Sequence, residues 1–270
     1  IMDHRTYLKI DLNKLEHNYN SVRNKLPSGV KLLGVIKANA YGNGAVEIGK
    51  FLDDKCDFFG VACIEEAIEL KKAGIKTPIL ILGRVFPFDV EKAVKYDIRI
   101  PIFSYDDAVI LSNEAVKQNK NMPYHFCIDT GMSRIGFQVN EESADICKRI
   151  TELPNIFAEG MFSHFATSDE ADLSKAVEQR NKYKRFCKML SDRKIEIPIK
   201  HLNNSAGIMN FDEYFDMCRM GIVTYGLYPS EEVDKSLLDI EPIMSWYTKI
   251  SHIKELEPKR EISYLSLIHI

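Results

Sequence analysis

The chain has 270 residues, a formal net charge of −3, 45% hydrophobic and 28% charged residues, which is the balance of a globular protein able to bury a core. That length holds one large domain, or an α/β barrel of about 250 residues with an appended piece. Disorder is excluded, and so is a broad attraction to nucleic acid, which needs clustered surplus Lys and Arg; a small molecule is the expected partner.

From the N-terminus, Ile1 to Tyr19 alternates charged and apolar residues without the apolar stretch of roughly 7 to 15 residues of a secretory leader. No run approaches the roughly 18 apolar residues that span a bilayer, so no membrane partner and a cytoplasmic location are expected. Short apolar runs then alternate with amphipathic, charge-rich stretches, the pattern of repeated βα units on a parallel sheet. The strands expected in order are Lys31 to Ile36, Phe58 to Cys63, Pro78 to Leu82, Ile98 to Phe103, Tyr124 to Ile128, Gly160 to His164, Pro198 to Leu202 and a weaker one near Asp216 to Arg219. A helix over Ile64 to Ala73 carries Glu65 and Glu66 in its first turn, where carboxylates suit the helix dipole, and Gly74 ends it. Eight strands with no GxGxxG after the first favour a closed (β/α)8 TIM-type barrel over an open doubly wound sheet.

Beyond Tyr225-Gly226-Leu227 the pattern changes, and Met244, Trp246, Thr248 and Ile250 alternate with polar residues as in a half-buried antiparallel strand. The expected division is an α/β barrel over 1–239 and the truncated start of a β-rich C-terminal domain over 240–270, with 265–270 (LSLIHI) continuing no pattern and reading as non-native. The six cysteines (Cys56, Cys63, Cys127, Cys147, Cys187, Cys218) include no CxxC pair. They read as reduced, mostly buried thiols and not as a disulfide frame or a metal site.

The candidate functional residues follow the strands, where loops at the C-terminal face of a barrel build active sites. Lys37 ends the first apolar run inside KANAYGNG; burial there would lower its pKa and make the amine nucleophilic toward an aldehyde, although most such lysines are solvated caps. In DTGMSRIGF, Gly131 and Gly136 tighten a loop around Arg134, able to grip a carboxylate or a phenolic oxygen bidentately, or else to pair with Asp129. His164 closes a strand between aromatics and is otherwise a structural histidine. In HLNNSAG, Ser205 and free backbone N–H groups suit a phosphate, while Asn204 or Ser205 also suits a plain helix cap. In RMGIVTYGL, Gly221 lets backbone amides approach an anion, and phosphate sites after barrel strands seven and eight are common.

These segments, KANAYGNG, DTGMSRIGF, SHFATSD, NNSAG and RMGIVTYGLYPS, in this order and spacing, resemble the alanine racemase family from about Arg5 to Tyr264. The resemblance implies a barrel that binds pyridoxal 5'-phosphate, a β-rich C-terminal domain, and a homodimer whose sites draw on both subunits. It implies a cytoplasmic isomerase that interconverts L- and D-alanine by two-base proton transfer, supplying D-alanine for peptidoglycan. Lys37 matches the lysine that forms the Schiff base and serves as one base. Tyr41, Asn204, Ser205 and the backbone of Gly221 and Ile222 match the cofactor-binding set. Arg134 matches the arginine near the phenolic oxygen and the substrate carboxylate, His164 a histidine against the pyridine ring, and Arg219 the arginine on the ring nitrogen.

Two departures stand out. Many members carry a carbamylated lysine where this chain has Cys127, seven residues before Arg134, so a negative brace for that arginine is missing. The C-terminal domain that supplies the second base is truncated, Tyr264 does not fit that role, and the 270-residue chain is expected to bind cofactor but racemise poorly. A broader-specificity or serine racemase of the same family, a related barrel decarboxylase, and a non-catalytic pyridoxal-phosphate carrier are the alternatives; the strand pattern from Met244 argues against the carrier.

Overall fold

Strands buried on both faces should be largely apolar, and the eight expected runs meet that demand at most positions, with Arg99, His125, His201 and Arg219 among the exceptions. The computed structural model describes residues 4–262. In chain order the elements are β1 (Thr6–Ile10), α1 (Leu12–Lys25), β2 (Lys31–Val35), α2 (Ala45–Leu52), β3 (Phe58–Val61), α3 (Ile64–Lys72), β4 (Ile79–Ile81), α4 (Val90–Lys95), β5 (Ile100–Ile102) and α5 (Tyr105–Lys117). There follow β6 (Met122–Asp129), β7 (Phe137–Gln138), α6 (Glu141–Ile150), β8 (Ile156–Phe162), α7 (Ser174–Asp192), β9 (Ile199–His201), α8 (Ser205–Asn210), β10 (Met217–Met220) and β11 (Met244–Thr248).

Eight of these strands pair in parallel in the order β4-β3-β2-β10-β9-β8-β6-β5. The ends meet at the isolated bridge between Leu80 and Arg99, where Ile81 N donates to Arg99 O (3.0 Å) and Arg99 N to Ile79 O (2.9 Å). The sheet is a barrel, as expected, and an open doubly wound sheet is set aside. Side chains alternate across it. Leu33 and Val35 of β2 point inward to Phe58, Leu80, Ile199 and Met217, whereas Leu32, Phe59, Ile79 and Ile81 join the layer between strands and helices.

Local signals account for the helix ends. Asp11, Ser104 and Asn140 cap α1, α5 and α6 with side-chain oxygens that accept from backbone N–H groups, and α3 ends at Ala73 with Gly74 at φ 88°. Cys56, Cys127, Cys147 and Cys218 are buried, Cys63 and Cys187 half-buried, and all six are free thiols.

The strand expected at Met244 exists but differs in environment. It pairs antiparallel with β1, from Thr6 opposite Thr248 to Ile10 opposite Met244, and every residue in it is exposed, not half-buried. Trp246 is 76% exposed, because among the described residues no second layer packs on this ribbon. Ile250 lies beyond its end. The N-terminal alternation was thus itself a strand signal, and its partner lies across the division expected at 239. Tyr264 and 265–270 lie outside the described residues.

Candidate active site

At the C-terminal ends of the barrel strands a cavity of about 350 Å³ gathers Lys37, Tyr41, His164, Asn204, Ser205, Arg219, Gly221 and Ile222. Eight of the nine expected site residues therefore share one wall system; Arg134 borders a small neighbouring void that also touches Met132 and His164.

Lys37 follows β2 and leads into an unusual turn. Ala38, Asn39 and Ala40 have φ of 51–52° and ψ of 47–50°, and Tyr41 has φ 55°, a left-handed turn built without glycine. Such backbone is disfavoured by roughly 1–2 kcal/mol per residue, so it must be held from outside. Asn39 Oδ1 accepts from Ala45 N (2.8 Å) and Asn43 Nδ2 donates to Ala40 O (2.8 Å). Glu66 accepts from Ala38 N and, through its second oxygen, from Ala62 N, both at 2.7 Å. The Tyr41 ring lies 5.1 Å from that of Tyr225, whose hydroxyl donates to Val35 O (2.7 Å), and the Lys37 amine stands 6.0 Å from the Tyr41 centroid. Burial lowers the Lys37 pKa, the Arg134 and Arg219 charges lower it further, and Glu66 opposes them. A larger share of neutral, nucleophilic amine results.

The cradle opposite is made of hydroxyls and amides. Ser205 Oγ accepts from Gly221 N (3.1 Å), and a Cβ at Gly221 would stand 3.3 Å from that Oγ and 3.7 Å from Tyr41 Oη. Any side chain at 221 would occupy the space between the two hydroxyls. Asn204 lines the cavity, but its amide oxygen is committed as the α8 cap, accepting from Gly207 N (2.9 Å), and also receives Ser168 Oγ (2.9 Å).

Arg219 is buried in the barrel interior and heavily engaged. Nη2 donates to Ser163 O (2.8 Å), Leu202 O (2.9 Å) and His164 Nδ1 (3.1 Å), and Nη1 to His201 Nδ1 (3.1 Å) and His201 O (3.2 Å). Burial pulls its pKa down to about 10, which leaves it protonated at neutral pH. Because the guanidinium can only donate, it fixes the tautomers behind it. His201 Nε2–H donates to His125 Nδ1 (2.9 Å), and His125 Nε2–H to Glu159 Oε2 (3.2 Å), a carboxylate gripped by Arg99 at 3.0 and 3.1 Å. His164, whose Nδ1 accepts from Arg219, is driven down to about 3 by burial and by the charges of Arg219, Arg134 and Lys37, so its imidazole is neutral.

Arg134 is exposed and, among the described residues, has no hydrogen bond or ion pair. Asp129 is not its partner: that carboxylate accepts instead from Gly131 N (2.9 Å), Ser133 N (3.0 Å) and Gln138 Nε2 (3.1 Å), folding the loop back so that β7 pairs with β6. Cys127 is buried and its thiol pushed up to about 12 by desolvation, so it stays neutral and brings no negative charge to Arg134.

Sequence reasoning missed Glu66 as a brace, and missed His125, His201 and Glu159 as a relay. A signal for the relay was present: in MPYHFCID and FAEGMF a titratable residue interrupts a strand that should be apolar on both faces. Such residues in different strands must find one another inside the barrel.

A closed parallel βα barrel whose strand ends collect a desolvated amine, a buried guanidinium and a cradle of hydroxyls and amides defines a class: TIM-type barrel enzymes that work on small anionic ligands at that face. The family model "Alanine racemase, N-terminal domain" matches residues 10–229. The alanine racemase of Clostridium tetani is 42% identical over 96% of this chain and 67% of its own length, and that of Methanococcus maripaludis 38% identical over 98% and 71%. Among solved structures, Clostridium difficile alanine racemase superposes with a TM-score of 0.95 at 41% identity, covering 98% of this chain and 70% of that one. The Bacillus anthracis alanine racemase with bound L-Ala-P gives 0.89 at 32% identity, with 98% and 69% covered. The chain belongs to the alanine racemase family, and it spans about two thirds of the length of these relatives.

Proposed function

We propose that this chain is the cofactor-binding barrel (1–239) and the first part of a second, β-rich domain (240–270) of an enzyme that interconverts L- and D-alanine. The reading rests on one observation: the desolvated Lys37 amine shares a cavity with the Ser205–Gly221 cradle and with Arg219. The residues fit pyridoxal 5'-phosphate, because the charges of Lys37, Arg219 and Arg134 bear on one another there and the space beside Gly221 is kept free of a side chain between two hydroxyls.

Lys37 would hold the cofactor's aldehyde carbon, Ser205, Tyr41 and the amides of Gly221 and Ile222 its phosphate, and Arg219 its ring nitrogen. Bound there, the cofactor supplies an electron sink for the electrons left on Cα when its proton departs. Arg219 keeps its own protons and would donate to the ring nitrogen, which would leave the sink a weak one and favour return of the proton to Cα. Neutral His164 lends an aromatic face without adding charge, and Arg134 receives the substrate carboxylate. Asn204 acts by capping α8 and so setting Ser205. The Lys37 amine, once freed by substrate, removes or returns a proton on one face of Cα.

Inversion requires a second proton carrier on the opposite face. We place it outside the residues that line this cavity, in the part of the full-length protein that lies beyond this chain and in a homodimeric assembly. In the cell the enzyme would act in the cytoplasm and supply D-alanine for peptidoglycan. Among the described residues no helix is long and apolar enough to cross a membrane. Lys37→Ala should abolish the visible cofactor absorbance near about 420 nm while the barrel stays folded; retained absorbance overturns the assignment. Full turnover by the 270-residue chain alone would overturn the placement of the second base. Assay of the complete gene product with several L-amino acids, following inversion and carbon dioxide release, separates alanine from broader racemisation and from decarboxylation.

A further inference from the structure

Glu66 is a first-turn carboxylate of α3 that a helix-dipole role explains only in part, because one oxygen reaches back to Ala62 N ahead of its own helix and the other crosses to Ala38 N in the turn after β2. We propose that Glu66 is a positioning residue: its carboxylate ties the left-handed turn after β2 to the end of β3 and thereby aims the Lys37 amine into the cavity. One oxygen takes Ala38 N and the other Ala62 N, each at 2.7 Å, the length of a charge-assisted bond. Ala38 is the first left-handed residue and the immediate neighbour of Lys37, so the bond lies where the strain begins.

The same carboxylate offsets part of the positive charge around the amine. The groups that bear on Lys37 are Arg134 from the β6–β7 loop and Arg219 of β10, both cationic, with neutral His164 after β8 and the Tyr41 ring beside them; Glu66 opposes the two cations. Glu65, its neighbour in the same turn, is exposed and supplies an internal control. A shorter Asp would keep the charge and lose the span between the two amides. A Gln would keep the length, lose the charge and hold only one amide, since its NH₂ cannot accept.

The inference rests on Lys37 as the residue that takes the cofactor aldehyde, and the test separates the two. The full chain is mixed with pyridoxal 5'-phosphate at a series of pH values, adducts are trapped with borohydride, and the trapping rate at Lys37 is read by peptide mass spectrometry beside amide exchange at Ala38 and Ala62. For Glu66→Gln the pH of half-maximal rate moves down, and exchange at one of those amides speeds by at least about tenfold. For Glu66→Asp the midpoint stays near that of the parent while the plateau rate falls and Ala38 exchange speeds up. Glu65→Gln changes neither readout. A parent-like midpoint and exchange in Glu66→Gln would overturn the proposal; if that variant does not fold, parent-like plateau and exchange in Glu66→Asp overturn it, as does loss of the fold in both. No adduct at Lys37 in the parent refutes the cofactor assignment instead, and the exchange comparison still decides the brace.

Discussion

Arg219 and Lys37 line one cavity and are held in opposite ways. The guanidinium is buried, spends both terminal nitrogens on fixed acceptors, and is backed by a hydrogen-bonded line running through His201 and His125 to Glu159 and Arg99. The amine is half-exposed on a strained turn, tied down by a few bonds from Glu66, Asn39 and Asn43. The difference suits the roles proposed for them: a group that would set a cofactor's electronics should not move, whereas a group that would release and recapture a carbon atom in every cycle needs room.

The sharpest test of that contrast is pH. His164, His125 and His201 all have pKa values lowered by burial, the first to about 3. They are neutral in the fold but bind protons in the unfolded chain below its pKa of about 6.5, so their stability contribution is complete above that value and is lost as pH falls. Unfolding free energy measured by denaturant titration should drop by up to about 1.4 kcal/mol per pH unit for each histidine below about pH 5.5. Glu159, lowered to about 2 by His125 and Arg99 against burial, adds a further loss between about 4.5 and 2. A flat profile from pH 6.5 to 4.5 would mean the line is not held neutral.

Gly160→Ala comes next. A Cβ there would lie 2.5 Å from the His125 ring and 2.9 Å from Ile199 O, so the barrel interior must shift, at a cost of about 3 kcal/mol or more in unfolding free energy. Glu159→Gln should cost about 2 kcal/mol by leaving Arg99 and His125 without their anion, and should shift the absorption maximum of the cofactor-loaded chain. Asn39→Ala, on the amine's side, should cost only about 1 kcal/mol yet slow cofactor capture, since it removes the acceptor for Ala45 N and a side chain that tolerates left-handed backbone. Equal effects of these last two on stability and on capture would erase the contrast. Trp246→Ala, on the exposed ribbon, should stay within about 0.5 kcal/mol.

Legibility in the sequence followed the same divide. The eight barrel strands could be read because burial on both faces leaves a run such as LLGVI no room for polar residues, and α3 because Glu65, Glu66 and Gly74 mark its ends. Eight of the nine expected site residues fell on one cavity because the loops after parallel barrel strands converge on one face; Arg134 borders the neighbouring void. The turn after Lys37 could not be read: Ala38, Ala40 and Tyr41 have no preference for left-handed backbone, and one of the bonds that hold them comes from Glu66, 28 residues away from Ala38. The half-burial expected for Met244 to Thr248 failed for a related reason, since alternation reports a strand but not whether anything covers its apolar side.

Arg99 belongs to two systems at once. Its backbone stitches the seam between β4 and β5, and its guanidinium clamps the carboxylate at the far end of the histidine line. Mechanical closure and the buried line of imidazoles therefore share an anchor: parting the staves of the cask at that join would also loosen the grip on the carboxylate in which the line ends.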